Sequence, residues 1–355
     1  MKTRIPCLIS CLIVCLLLFS LSTALADRSV LMTFTGDVTL GSEDQFRSRA
    51  TSFDSYAEEY GYDYFMKNYM DLFETDDITI VNLEGVLSDT TQGFKKKSNS
   101  DFNFRGPTAF TEILNVSSIE ICNTSNNHAQ DYGTVGYDST LAALDQYGVS
   151  HFGYGQEYIY EKDGIRILFF GLNSTVVNKY RNQVCDRIKE LKGKGEIQAA
   201  IVTLHTGTEY GKRRNGNQEN WSRMFIDAGA DLIIMHHPHV LLGLDQYKDR
   251  LICYSLGNFC FGGNASVKKP EALGTAAFRI RMDFSDDGEF LGQQLDIYPG
   301  YTTDSYPENH YQPIRVTDPE DVDYVMGLIQ RDTKYDLAPY DATLGYAPQP
   351  YLPAR

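Results

Sequence analysis

The sequence predicts a layered α/β fold, and three observations predict it. Apolar runs of strand length alternate with amphipathic segments of helical period along most of the 355 residues. At least five of those runs stop at a residue able to ligate a cation or carry a proton: Asp37, Glu84, Asn127 with His128, His205, and His237 with His239. Sites in open α/β sheets form outside the carboxyl ends of the strands, so these side chains are expected on one edge. Finally, three of the seven histidines sit in the stretch His236-His237-Pro238-His239. Pro238 fixes φ and lacks an N–H, so the chain turns out of the sheet there and lets His237 and His239 face one point.

In chain order, Val30 to Phe34 reads as a strand leading through Thr35-Gly36 to Asp37. Residues 55–73 space Tyr60, Tyr64, Phe65, Tyr69 and Phe73 as a loosely amphipathic helix. Ile78 to Leu83 is a strand ending at Glu84-Gly85, and polar residues 88–103, with Lys95, Lys96 and Lys97 in a row, form a long loop. Phe104-Arg105-Gly106-Pro107 closes that loop before a helix to about Leu114. Ser118 to Asn123 is a strand running into Asn126-Asn127-His128, followed by a helix over about 137–147. Ile165 to Gly171 is a strand, 178–194 a helix, and Ala199 to Leu204 a strand ending at His205. Glu209, Tyr210 and the basic run Lys212-Arg213-Arg214 come next. Gln218 to Ala228 is an amphipathic helix, Leu232 to Met235 a buried strand, and Leu251 to Ser255 a strand ending at Gly257-Asn258. Hairpin strands are expected near 276–284 and 292–297. Asp318 and Pro319 mark the cap and first turn of a helix to about Thr333, and a proline-rich tail is expected to be irregular.

The first 26 residues read as an export signal. Lys2 and Arg4 precede an apolar run from Cys7 to Leu21, and Ala24-Leu25-Ala26 fits a cleavage site before Asp27. The alternative is an uncleaved anchor, since the run approaches the ~20 residues that span a bilayer. Three cysteines lie in this leader; Cys122, Cys185, Cys253 and Cys260 remain, with no zinc-motif spacing, and Cys122 and Cys253 fall inside strand-like runs as buried thiols. The formal net charge is −15, which disfavours nucleic acid and anionic surfaces as partners. No phosphate-binding loop ends in Lys-Ser/Thr, and Ser255 lacks the Gly-x-Ser-x-Gly frame of a nucleophile elbow.

An ordered set of motifs carries a resemblance. Thr35-Gly36-Asp37-Val38, Asn82-Leu83-Glu84, Phe104-Arg105-Gly106-Pro107 and Asn126-Asn127-His128-Ala129 come first. His205-x-Gly207-x-Glu209-Tyr210, His236-His237-Pro238-His239 and Ser255-Leu256-Gly257-Asn258 follow. Together they resemble the CapA-type proteins of poly-γ-glutamate capsule synthesis, a branch of the calcineurin-like metallophosphoesterases. The resemblance implies a four-layer α/β/β/α sandwich over residues 27–298, with 299–355 as an extension. It also implies two divalent ions (Mn, Fe or Zn), about 3.5–4 Å apart, that activate water for in-line displacement. By that resemblance Asp37 and His239 serve one ion, Glu84 bridges, Asn127, His205 and His237 serve the other, and His128 protonates the leaving group. Arg105, Glu209, Tyr210 and Asn258 are the matching candidates for substrate binding. Thr39 stands where the broader superfamily has a histidine, and Glu84 where it has aspartate. Thr206 and Met235 also depart from the usual family residues.

Three functions remain open on the sequence. One is an exported metal-dependent hydrolase or transferase acting on an anionic polymer or phosphoester, with Arg105, Lys95–Lys97 or Lys212–Arg214 holding the anion. Another is a non-catalytic component that binds or exports the polymer beside membrane-bound capsule-synthesis proteins. The last is a general extracellular metallophosphoesterase.

Overall fold

The computed structural model describes residues 28–94 and 102–354. The expected leader and Lys95–Lys97 lie outside the described residues. The strands in chain order are β1 (Arg28–Thr39), β2 (Ile78–Leu83), β3 (Val86–Leu87), β4 (Arg105–Gly106), β5 (Ile121–Asn123), β6 (Ser150–Phe152), β7 (Glu157–Lys162), β8 (Ile165–Asn173) and β9 (Ala199–His205). They continue with β10 (Leu232–His236), β11 (Leu244–Tyr247), β12 (Arg250–Cys253), β13 (Asn258–Phe261), β14 (Gly274–Phe284), β15 (Phe290–Tyr301), β16 (Ile314–Arg315), β17 (Ala347–Pro348) and β18 (Leu352–Pro353). The α-helices are α1 (Phe53–Tyr60), α2 (Met70–Phe73), α3 (Thr111–Val116), α4 (Gly133–Gln146), α5 (Val177–Gly193), α6 (Gly216–Asp227) and α7 (Pro319–Gln330).

Two mixed sheets pack face to face. One runs β16-β15-β14-β1-β2-β5-β6, with β13 joined to β1 and β17 and β18 to β15; the other runs β11-β12-β10-β9-β8-β7. Alternate residues of each strand point to opposite faces, and here both faces are covered. Met32, Phe34, Ile80 and Ile121 of the first sheet meet Ile167, Phe169, Ile201 and Ile234 of the second in a shared core. On the outside of the first sheet, Val81, Leu83 and Cys122 pack against Phe53, Leu114 and Leu144 from α1, α3 and α4. On the outside of the second, Leu168, Val202 and Ile233 pack against Ile188 and Phe225 from α5 and α6. The result is a four-layer α/β/β/α sandwich.

Several boundaries differ from the sequence reading. The helix expected over 55–73 is broken at Gly61, whose φ of +85° ends α1; two 3₁₀ turns and the one-turn α2 follow. Among the strands that went unread, β7 and β11 are each joined to a neighbour by a two-residue turn with positive φ, Asp163-Gly164 and Lys248-Asp249. The segment beyond Tyr301 is less irregular than expected. Asp318 caps α7 by accepting from the Glu320 N–H, Val325 and Ile329 enter the inter-sheet core, and β17 and β18 pair with β15. All four cysteines among the described residues are buried and unpaired. No helix among the described residues is long and apolar enough to cross a membrane.

Candidate metal centre

The inter-sheet core ends in polar residues because of side-chain parity. In β2 the inward stripe Ile78, Ile80 continues to Asn82; in β9 Ala199, Ile201 continues to Thr203 and His205; in β10 Leu232, Ile234 continues to His236. Strand β1 reaches the same edge through an irregularity. Val30, Met32 and Phe34 face the inter-sheet core, whereas Val38 and Leu40 face the outer helices. The register slips between Phe34 and Asp37, as a bulge does, and the change of parity turns Asp37 toward the core side. Strand pairing then aligns Asn258, Asp37, Asn82 and Asn123 across the first sheet, and His236, His205 and Asn173 across the second. Two glycines make room. A Cβ on Gly36 would lie 2.3 Å from the Gly257 carbonyl oxygen, and one on Gly171 would lie 2.0 Å from Asn123 Oδ1.

These two rows form a buried hydrogen-bonded floor. Asn123 Nδ2 donates to Asn82 Oδ1 at 2.8 Å, and Asn82 Nδ2 donates to Asp37 Oδ1 at 2.8 Å and contacts His205 Nδ1 at 3.1 Å. His236 Nδ1 lies 3.3 Å from Asp37 Oδ1. Sequence reading named His236 and Asn82 within its motifs but gave them and Asn123 no role in the site, because it attended to the residues that follow the strands. The period-two stripe was the signal that would have found them.

Above the floor, loop residues supply the remaining groups. His239 Nδ1 is 3.3 Å from Asp37 Oδ2 and 3.9 Å from Glu84 Oε2, while Asn258 Oδ1 contacts the same nitrogen at 2.9 Å. His205 Nε2 lies 2.6 Å from Asn127 Oδ1, 3.1 Å from His237 Nδ1 and 3.5 Å from Glu84 Oε1. His237 and His239 both adopt positive φ, 99° and 57°, around Pro238, a conformation that costs about 1–3 kcal/mol each in a non-glycine residue. That bend turns both imidazoles toward the carboxylates. Asp37, Glu84, Asn127, His205, His237 and His239 are thus brought into one cluster. His128 joins it through Nε2, 4.0 Å from Glu84 Oε1, while its Nδ1 lies 2.8 Å from Asp131 Oδ2.

The electrostatics fit a cation. Both Glu84 carboxylate oxygens are buried without a hydrogen-bond donor. Burial, and then the charge of Asp37, push the Glu84 carboxyl upward in pKa. Burial also opposes ionisation of Asp37, but contacts with His236 and His239 outweigh it and hold that carboxyl well below its usual range. Burial keeps the His205 and His237 imidazoles below their ordinary value, so they remain neutral with lone pairs to offer. Burial opposes charge on His239 too, yet Glu84 and Asp37 push it up to about 10. Two sets of ligand atoms, Asp37-Glu84-His239 and Glu209-His237-His239, each lie within 4.8 Å of one another. Carboxylate, imidazole and amide donors of this kind suit Mn, Fe or Zn.

The substrate-binding candidates separate. Glu209 and Tyr210 stay at the cluster: Glu209 is exposed beside His237 and His239, and the Tyr210 ring centroid is 6.0 Å from that of His239. Asn258 contacts His239, as above. Arg105 is engaged elsewhere, with Nη2 2.6 Å from Asp44 Oδ1 in a pair also held by the Tyr132 hydroxyl. Lys212 pairs with Glu271 at 2.6 Å, and Arg214 is buried against Asp245 and Asp332. Thr39 follows Asp37 on the same strand face, with its hydroxyl buried and unpartnered.

The model of the family described as bacterial capsule synthesis protein PGA_cap matches residues 31–263. The chain belongs to this family. The match contains every residue of the cluster, and the fold beyond Gly263 completes the first sheet. Similar proteins include the capsule biosynthesis protein CapA of Bacillus anthracis, 25% identical over 77% of this chain and 67% of its own. The PGA biosynthesis protein CapA of Bacillus subtilis strain 168 is 27% identical over 77% of this chain and 73% of its own. Among solved structures, a putative 5'-nucleotidase from Staphylococcus aureus aligns over 88% of this chain and 61% of its own, at 12% identity and a TM-score of 0.45.

Proposed function

We propose that this PGA_cap protein is an exported, metal-dependent hydrolase or transferase that acts on poly-γ-glutamate at the cell surface. The observation that carries this reading is the Glu84 carboxylate, buried beside His128, His205 and His239 with neither oxygen given a donor. A buried anion without donors is costly unless a cation neutralises it. Asp37, Glu84 and His239 would hold one divalent ion, and Asn127, His205 and His237 would hold a second with Glu84 between them. Ions bound there would supply a Lewis acid and water of lowered pKa for attack on a γ-amide carbonyl or a phosphorus centre.

The chain's own residues do the rest. Asp131 holds the His128 ring through Nδ1, so a proton on Nε2 exists only in the imidazolium form. Burial opposes that form, but the Asp131 contact outweighs it and raises the His128 pKa. A protonated His128 facing Glu84 is suited to protonate the leaving amine or alkoxide. Asn258 and Asp37 fix the His239 ring, and burial keeps His205 and His237 neutral. The expected leader, residues 1–26, supports export, and membrane-bound capsule-synthesis proteins are the proposed neighbours at the surface.

The test is metal content by mass spectrometry of the chain from Asp27 onward, together with release of glutamate-containing fragments from poly-γ-glutamate. About two metals per chain, lost in the His237→Ala/His239→Ala double variant, support the reading. Bound metal with turnover of simple phosphodiesters and none of the polymer would replace it with a general phosphoesterase. A second reading, a polymer-binding or export component, is favoured by Thr39 standing where the superfamily has a histidine. A chain that takes up no metal yet binds the polymer would decide for it.

A further inference from the structure

We infer that Lys268 and Lys269 form a two-pronged clamp over the mouth of the centre for the free carboxylates of an acidic polypeptide chain. The inference rests on the proposed polymer reading and names the recognition element that reading lacks, since Arg105, Lys212 and Arg214 are already engaged with carboxylates of the chain itself.

The geometry follows from one extended stretch. Lys269 has φ −142° and ψ 143°, the conformation in which neighbouring side chains leave on opposite sides. Lys268 Nζ sits 4.0 Å over the Phe102 ring, and Lys269 Nζ sits 4.6 Å over the Tyr210 ring. Each of these rings leads back to the cluster. Phe102 stacks on Phe104, 6.2 Å away, and Phe104 contacts the His128 ring at 4.5 Å. Tyr210 lies beside His239. The two ammonium groups therefore stand on the two flanks of the centre, one toward His128 and one toward His239. Beside Lys268 a small cleft is lined by Asn258, Asn264 and Asn309 together with Tyr210, Phe261 and Val267.

Both lysines are exposed, and neither has a carboxylate within 4.0 Å among the described residues. In a chain with 47 acidic and 32 basic side chains, two adjacent unpaired cations at the rim of a carboxylate-containing centre need a reason. The aromatic faces beneath them hold the ammonium groups in place without neutralising them, leaving N–H donors for an incoming anion. A γ-linked glutamate chain carries one free carboxylate on every residue. Successive carboxylates on either side of the scissile amide would meet Lys268 and Lys269 while the amide lies over Glu84 and His128. The side-chain amides of Asn258, Asn264 and Asn309 in this cleft can hydrogen-bond a polar backbone.

The experiment measures binding of a fluorescently labelled γ-glutamate oligomer to the full chain by anisotropy. It compares the native protein with Lys268→Gln/Lys269→Gln and Lys268→Arg/Lys269→Arg, with metal content and melting temperature recorded for each. The expected result is a loss of about tenfold in affinity for the Gln pair, recovery in the Arg pair, unchanged metal content and a shallower salt dependence. Equal affinity in all three proteins overturns the clamp while leaving the polymer reading intact. A native protein that binds no γ-glutamate oligomer overturns both. A native protein without metal that still binds through the lysines sinks the hydrolase and keeps the clamp.

Discussion

His128 Nδ1 lies 2.8 Å from Asp131 Oδ2, three residues further along the same loop. The carboxylate sets which nitrogen faces the cluster and raises the His128 pKa against the opposing effect of burial. Asp131→Asn removes the charge and keeps the shape. Turnover of the metal-loaded protein is expected to fall by about 10–100-fold, as for other residues that orient a site histidine. The sign of the pH effect is fixed. His128 acts as an acid below its pKa; losing Asp131 lowers that pKa, so the alkaline limb of the rate profile moves to lower pH. A fall in rate with the limb unmoved would make Asp131 a purely structural partner. His128→Ala is expected to lose about 10²-fold or more in turnover while retaining its metal.

Glu84 makes the opposite kind of prediction, because its cost is paid by the metal-free chain. Glu84→Gln takes away a buried carboxylate that has no donor. The metal-free variant is expected to melt at a higher temperature than the metal-free native chain. Manganese or zinc should then raise the native melting temperature and leave the variant nearly unmoved, since a ligand stabilises only what it binds. Thermal melts with and without 1,10-phenanthroline or added metal check both halves. A variant that keeps its metal response would remove Glu84 from the ligand set.

The layered fold was legible because its strands are buried on both faces and read as apolar runs; much of the cluster was legible because its residues end those runs. Asp37, Glu84, His205 and His237 fell in plain view for that reason. The roles of Asn82, Asn123 and His236 did not, since each looks like an ordinary residue near a strand end until the parity of Ile78-Ile80 or Leu232-Ile234 is followed outward. The fate of the basic residues was hidden for a different reason. Arg105 is paired with Asp44, 61 positions away, and no local pattern reports such a pairing. The unread strand β7 had a local sign, Asp163-Gly164 between two alternating runs, which is the residue pair a two-residue hairpin turn prefers.

A carboxylate remote from the centre predicts a pH dependence of stability. Asp76 precedes β2, accepts from Thr79 Oγ1 at 2.9 Å, and faces Asp77, Glu120 and Arg279. Burial, with a smaller contribution from Asp77, raises its pKa to about 6 despite the opposing effects of Thr33, Thr79 and Arg279. The native state therefore binds the Asp76 proton more tightly than the unfolded chain, whose aspartates titrate near 3.9. Its contribution to stability is fully present below about pH 4 and is lost as pH rises through about 6. Asp76→Asn keeps an acceptor for Thr79 and cannot ionise. The melting temperature of the native chain should thus fall more between pH 4.5 and 7.5 than that of the variant. Parallel curves would show that Asp76 titrates alike in both states.

The two sheets also meet at a crowded point whose energetics can be measured. Gly171 in β8 faces Asn123 in β5, and a Cβ there would lie 2.0 Å from Asn123 Oδ1. That amide cannot simply retreat, because its Nδ2 donates to Asn82 at 2.8 Å and its Oδ1 accepts the Ser125 N–H at 3.1 Å. Gly171→Ala is therefore expected to cost about 1–3 kcal/mol through overpacking and to weaken metal binding by tilting the floor under Asp37. Asn123→Ala is expected to destabilise separately, by leaving the Asn82 carbonyl and Ser125 N–H without partners. Combined, the new methyl occupies space the missing amide has vacated, so the steric part of the first change disappears. The double variant should be more stable than the two single losses predict when added, by about 0.5–3 kcal/mol in urea unfolding. Strict additivity would show that the sheets slide apart to admit the methyl, and that the contact between Gly171 and Asn123 does not set their spacing.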